Sequence, residues 1–405
     1  MKRTMSAVSA VSVLALLLAG CSGAGGDGGG SGDGDTITIG ASIPLTGSLA
    51  GFGPLIQDGY QDAVDQVNAA GGIEIDGTAH QVELVVQDNK SDSTTAGDQA
   101  RSLILENGAV ALLGSVSPPL NIPMSNVAEV EQVPFVTSLT PTRAWRAGNE
   151  SGWTYAWDMF FDEETMTDLQ FTTSDLVATN KKVALFTDNE EDGITMGALW
   201  EAKAPTFGYE IVSHSEFPVG TSDFSSFIND AKAAGAEVVI AQMTPPDAFA
   251  LWKQMKALQF DPQVAFCEKC AATAAFQKEL GETAEGTTST NFYETSEHPD
   301  AVRLTEKFGA QLGQNVDLST LIISQSAAQV LLDAIAAAGS TDGSAINEAI
   351  GATDKEYAVG DISFSDENVA DITPVSSQWQ GDQMVQVNPQ GANSGTLEAP
   401  VAGLK

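Results

Sequence analysis

The stretch Ile39-Gly40-Ala41-Ser42-Ile43-Pro44-Leu45-Thr46-Gly47, continued by Gly51-Phe52-Gly53 and by Val67-Asn68-Ala69-Ala70-Gly71-Gly72-Ile73, sets the reading of the chain. Thr36–Ser42 reads as a strand, and Pro44 and Gly47 turn it into a loop. From Pro54 to Ala70 the apolar residues Leu55, Ile56, Tyr60, Ala63, Val64 and Val67 recur at helical spacing, and Gly71-Gly72 stops the helix. A strand followed by an amphipathic helix is the building unit of a parallel sheet, because parallel neighbours need a crossover between them.

The same alternation continues outward. Gln81–Gln87, Ala109–Leu113 and Phe135–Thr137 read as strands, with helices over Thr95–Asn107 and Ile122–Glu131. It restarts with strands over Lys182–Thr187, Glu210–Glu216, Glu237–Gln242 and Gln263–Phe266. The helices between and after them are Ile194–Phe207, Phe224–Ala234, Asp247–Leu258 and Ala272–Leu280. Pro299–Leu312 and Leu318–Ala338 add two helices, and Asp361–Gln386 holds short strand-like pieces. The expected class is α/β, with two doubly wound parallel sheets. Ligands of such sheets sit beyond the carboxyl ends of the strands. Two sheets facing each other would share one cleft, lined by residues just after Ile43, Leu113, Val136, Phe186, Ala241 and Phe266.

The 405 residues, 42% of them hydrophobic, suffice for a core in each of two domains. A formal net charge of -36 excludes nucleic acid as a partner, since phosphate binding needs a basic patch. It is also unsuited to an anionic membrane surface. Lys2 and Arg3 precede an apolar run, Val8–Ala19, that is too short to span a bilayer. The run ends in Leu18-Ala19-Gly20-Cys21, which resembles the bacterial lipobox. That resemblance implies a signal peptide over residues 1–20, cleavage before Cys21 and acylation of Cys21. Residues 21–35, almost wholly Gly, Ser and Asp after the cysteine, cannot bury apolar surface and read as a flexible tether. Gly23, Gly25 and Gly26 follow no strand, so they are not a dinucleotide loop.

The opening stretch, with Gln87-Asp88-Asn89-Lys90-Ser91-Asp92, Leu113-Gly114-Ser115 through Pro134-Phe135-Val136, and Ala284-Glu285-Gly286, resembles the leucine/isoleucine/valine-binding family of ABC-transporter solute receptors. The likeness runs from about Thr36 onward. It implies a type I periplasmic-binding-protein fold, two lobes joined by a three-segment hinge. The expected crossings lie near Trp157–Phe161, Thr288–Phe292 and Tyr357–Asp361. Lobe 1 is then 36–157 plus 291–356, and lobe 2 is 158–290 plus 357–400. The implied function is capture of an amino acid, amide or small carboxylate in the interlobe cleft and delivery to an ABC permease. The protein would act as a monomer outside the cell, anchored by lipidated Cys21, without cofactor or metal and without catalysis. A ligand-sensing receptor shares the same fold and stays open as an alternative.

The resemblance also suggests site residues. Phe52 would pack on the apolar part of the ligand. Ser115, Ser117, Ser138 and Thr140 would offer hydroxyls and nearby backbone N–H groups to an anion. Pro118 stands where the family often has serine, which removes a donor and puts a standard carboxylate site in doubt. Asp192 stands where members carry a ligand-covering tyrosine. Thr244 is a further hydrogen-bonding candidate. Members that bind amino acids place a glutamate near Glu268 and Lys269 for the α-ammonium. Ungapped spacing gives Lys269 that place and a one-residue shift gives Glu268, so both stay open. Cys267-Glu268-Lys269-Cys270 admits a local disulfide in an exported protein or a thioredoxin-like redox pair. His80, His214 and His298 lie far from the cysteines in sequence, so a zinc site is not expected. No nucleophile elbow, phosphate loop or His-Glu-x-x-His helix occurs.

Acylation at Cys21 predicts that Cys21→Ala releases the protein from membranes. Two acyl chains anchor stably, at roughly 0.8 kcal/mol per buried methylene. Membrane fractionation of parent and variant checks this, and a variant that stays membrane-bound rules the anchor out.

Overall fold

Ile37–Ile43 lies inside a six-stranded sheet, and its side chains are buried on both faces except at Thr38. That pattern suits a parallel strand covered by helices on both sides. The computed structural model describes residues 36–292, 298–312, 318–391 and 394–405. The leader, Cys21 and the tether fall outside them. In order across the first sheet stand Val369–Asp371, Ala156–Phe160, Phe135–Thr137, Ala111–Leu113, Ile37–Ile43 and Val82–Asp88, all parallel. The second sheet runs Gln383–Asn388, Pro374–Gln380, Thr288–Phe292, Val264–Glu268, Val238–Gln242, Lys182–Asp188 and Glu210–Phe217. Its last five strands are parallel, and the first two are antiparallel additions at one edge. The expected two-lobed, doubly wound α/β architecture is therefore present.

The chain leaves the first sheet after Phe160, and after Phe292 it leaves the second sheet for helices such as Leu318–Ala338, which packs on Gly53–Ala69 of the first lobe. Its third passage runs through Ile372 and Thr373, between Val369–Asp371 of the first sheet and Pro374–Gln380 of the second. This corrects the expected crossing at Tyr357–Asp361. Asp354–Tyr357 and Gly360–Ser363 instead pair as a hairpin whose turn uses Gly360 at a φ of +110°. The chain then adds Val369–Asp371 beside Ala156–Phe160, so the second lobe resumes at Pro374 rather than at residue 357.

Helix starts also shift. The expected helix Ile122–Glu131 begins four residues earlier, at Pro118. Pro118 and Pro119 occupy its first two positions, where a missing N–H breaks no helical bond. Thr142–Ala147, Ala156–Phe160 and Glu163–Ser174 are elements that the alternation did not reveal.

Leu318–Ala338 is long and apolar enough to cross a membrane, but it is largely buried and packs along Gly53–Ala69. Gly59 makes that contact close. A Cβ there would stand 2.6 Å from Leu321 O and 2.9 Å from Gln325 N, both backbone atoms that cannot swing aside. Beside it the buried Tyr60 hydroxyl donates to Gly114 O at 2.9 Å, which ties this helix to the loop after Ala111–Leu113.

Gly59→Val should therefore cost about 1–3 kcal/mol through forced separation of the two helices. Gly309, inside Pro299–Leu312 with open space around its Cβ position, gives the opposite expectation. Gly309→Ala should be neutral or stabilise by up to about 1 kcal/mol. Denaturant midpoints of both variants check the pair.

Candidate functional site

The loops that follow the strand ends of the first lobe are tied together by one side chain. Asn121, fully buried on the Pro118–Glu131 helix, accepts from Ser115 N at 2.7 Å and donates to Ser117 O at 3.3 Å. Its amide also donates to Thr140 Oγ1. Ser115 Oγ accepts from Asn89 Nδ2 at 3.2 Å, and Thr140 Oγ1 lies 3.2 Å from Thr137 Oγ1. Ser117 N donates to Leu139 O at 2.8 Å, joining the two loops through their backbones. Gly114 permits the approach, since a Cβ there would meet Thr137 Oγ1 at 2.5 Å.

In the second lobe the corresponding tie is ionic. Lys269 Nζ lies 2.6 Å from Glu190 Oε2, 3.2 Å from Asp192 Oδ2 and 3.6 Å from Asp188 Oδ2. The lysine side chain is only 5% exposed. Burial works against its charge, but the three carboxylates outweigh burial and hold its pKa above the ordinary lysine range. Burial pushes Asp188 up to about 7, with Lys269 pulling the other way. Carboxylate oxygens of Asp188, Glu190 and Asp192 lie within 4.8 Å of one another, a spacing that could hold a metal ion. The cation among them is the protein's own ammonium. Lys269 reaches it from a left-handed backbone, at a φ of +66°, inside a turn closed by a disulfide between Cys267 and Cys270. Both cysteines are fully buried, so no outside thiolate can reach them, which disfavours the redox alternative.

Between the lobes lies a cavity of about 80 Å³. That is room for roughly half a dozen waters or a solute of similar bulk. Phe52, Ser117, Asp192, Glu268 and Lys269 line it, as do Val116 and Leu139. Ser115, Ser138, Thr140 and Thr244 do not: they are buried behind it, with Ser115 and Thr140 bonded within the first-lobe loops. Several lining residues lay outside the sequence reading. Phe160, Phe161 and Ser289–Phe292 come from the two crossings, Met166 from the unrecognised Glu163–Ser174 helix, and Ser319 and Thr320 from the start of Leu318–Ala338. Gln242 is the last residue of its strand and directly follows Ala241, so it stands where the strand-end rule looks for ligand contacts, although Thr244 was the candidate named there. At the rim the lobes touch: a Cβ on Gly51 would be 3.6 Å from Ala275 Cβ and 3.8 Å from Thr273 Oγ1.

Glu268 is held within its own lobe. Its Oε1 accepts from Gln170 Nε2 at 2.7 Å and Thr290 Oγ1 at 2.9 Å, and its Oε2 accepts from Thr290 N at 3.0 Å. Burial still dominates these bonds and pushes the carboxyl up to about 7. Glu163, near the first crossing, is pushed up to about 7 for the same reason, although Arg143 N and Ala144 N donate to it.

These carboxyls fix the sign of the pH response. A carboxyl with a raised folded pKa is better tolerated protonated, so its cost is absent below the ordinary carboxylate range and complete above the raised value. Stability should therefore fall as pH rises from about 4.5 to about 7. Melting curves across that window check it, and Glu268→Gln should flatten the slope.

Comparison with known proteins places these features in a family. The Periplasmic binding protein family profile matches residues 36–377. The Leu/Ile/Val-binding protein homolog 3 of Brucella melitensis biotype 1 is 27% identical over 334 residues, 82% of this chain and 87% of that protein. An amino acid binding protein of Pseudomonas aeruginosa is 28% identical over 222 residues, 54% of this chain and 57% of its own length. The crystal structure of the leucine binding protein LivK from Thermotoga maritima superposes with a TM-score of 0.76 at 22% identity, covering 87% of this chain and 97% of that one. The branched-chain amino acid transporter substrate binding protein LivJ from Streptococcus pneumoniae, in complex with isoleucine, gives 0.74 at 22% identity, over 87% and 99%. With two doubly wound lobes, a cavity lined from both, and a profile match across most of its length, the chain belongs to the periplasmic binding protein family and is a binding protein, not an enzyme.

Proposed function

We propose that this protein captures a small polar solute outside the cell and delivers it to the membrane permease of an ABC importer, tethered to the outer face of the cell membrane by lipidated Cys21. The observation that carries this reading is the cavity between the lobes, to which Phe52 and Ser117 contribute from one side and Gln242, Glu268 and Lys269 from the other. A solute contacting both sides favours the closed arrangement by its differential affinity for that form. The relatives named above, described as leucine-, branched-chain or amino-acid-binding proteins, support the solute class. The lipobox and tether support the anchor.

The ligand roles of the lining residues follow from the same reading. Phe52 packs on the apolar part of the solute, Ser117 offers a hydroxyl, and Glu268 presents a carboxyl edge. Lys269 acts through Asp192 and its neighbours rather than as a free cation for a ligand anion, because its charge is already matched.

Calorimetry with a panel of amino acids, amides, amines and small carboxylates, joined to small-angle scattering, tests the reading. The true solute should compact the protein. Gly51→Trp places an indole where the rims meet at Thr273 and Ala275, so it should weaken that solute at least tenfold and abolish compaction. Binding without compaction, unchanged in Gly51→Trp, would remove the clamp.

A further inference from the structure

The polar groups of the cavity are unequal in what they leave unsatisfied. Gln242 is 3% exposed, and its Nε2 donates to Asp192 Oδ2 at 2.8 Å. A carboxylate only accepts, so the amide must turn its NH2 toward Asp192 and its carbonyl away. Among the described residues Gln242 Oε1 is then a buried acceptor with no partner, on a side chain that lines the cavity. An unmatched buried acceptor calls for a donor. Its orientation is fixed by a short relay, since Lys269 holds Asp192 and Asp192 holds the amide.

Anion recognition is poorly provided for at the same place. Lys269 is surrounded by three carboxylates. The helix Pro118–Glu131 begins at the cavity wall beside Ser117, but Pro118 and Pro119 have no N–H. The next two donors, Leu120 N and Asn121 N, both bond back to Ser117 O, at 3.3 and 3.2 Å. The end of the helix that ordinarily greets an anion therefore has its first four N–H positions removed or occupied. Ser117 Oγ, buried and without a partner among the described residues, remains on that side. One ammonium against three carboxylates leaves the second-lobe wall negative, with Glu268 beside it, and the chain as a whole carries -36. A carboxylate placed against this wall would meet repulsion, whereas an organic cation would meet attraction.

We propose that the cleft selects a small organic amine lacking a carboxylate, whose protonated nitrogen donates to Gln242 Oε1 while its apolar part packs on Phe52 and Leu139. This rests on the solute-capture reading and names the class of solute. Gln242 is the specificity-determining residue, and Asp192 and Lys269 position it.

Two matched triples test the proposal by calorimetry on the mature chain. Isoamylamine, leucine and 4-methylpentanoate share one apolar group, as do phenethylamine, phenylalanine and 3-phenylpropanoate. In at least one triple the amine should bind at least tenfold more tightly than the amino acid, with no measurable binding of the acid. Gln242→Leu should cost that amine at least tenfold while leaving the far-ultraviolet spectrum of the folded protein unchanged. Tighter binding of the amino acid or the acid overturns the amine inference and leaves solute capture standing. Binding of neither amine overturns it too, and solute capture is then judged on its own by compaction with the wider panel. An amine that binds equally well to parent and Gln242→Leu removes Gln242 as its reader.

Discussion

The geometry of the second lobe depends on one buried ammonium. Asp188, Glu190 and Asp192 crowd their oxygens together at the end of the Lys182–Asp188 strand and the start of the Glu191–Lys203 helix. Without Lys269 these carboxylates would repel each other in a poorly solvated space, and the loop would open or take up protons. With it, the loop is drawn toward the end of Val264–Glu268, and Gln242 from the strand between them is caught by Asp192. The disulfide and the left-handed backbone at Lys269 serve this arrangement, since they aim the lysine inward. The first lobe solves the matching problem without charge. There a single neutral amide, Asn121, gathers the two loops. The two walls of the cleft consequently differ in kind, one ionic and one neutral, and a solute between them meets different chemistry on each side.

Much of the architecture was legible from periodicity. Pro54–Ala70 has helical apolar spacing, Leu318–Ala338 is a long run rich in Ala, Leu and Ile, and short apolar runs such as Val238–Gln242 are buried parallel strands. What escaped detection did so for physical reasons. Glu163–Ser174 buries polar residues, including Thr167, Gln170 and Thr173, beside only Met166 and Phe171, so its buried face has a weak hydrophobic signature. Pro118 and Pro119 look like a loop until their place in a first helical turn is seen. Val369–Asp371 is a three-residue strand whose pairing depends on Ala156–Phe160, far away in sequence, and nothing local announces it.

The site was partly legible, through the rule that ligands gather at strand ends. That rule led to the loops holding Phe52, Ser117, Asp192, Glu268 and Lys269. It could not separate hydroxyls that face a cavity from those that face a neighbouring loop, which is where Ser115 and Thr140 go. The family resemblance offered Glu268 and Lys269 as alternatives for one place, by a one-residue shift and by ungapped spacing respectively. Both line the cavity because the strand ends at Glu268 and the chain turns left-handed at Lys269. Residues of the crossings, such as Phe161 and Asn291, enter the wall only through the way the lobes are joined, and no single segment encodes that.

The placement of Val369–Asp371 at the edge of the first sheet also bears on the order of folding. Every other strand of that sheet precedes Phe161 in the chain, yet the sheet is not complete until a segment close to the carboxyl terminus has arrived. Loop closure over so long a stretch must come before that contact can contribute. A chain delivered amino end first can form most of the first lobe's strands but cannot finish its edge. Its first half therefore stays open to unfolding until nearly the whole protein has arrived.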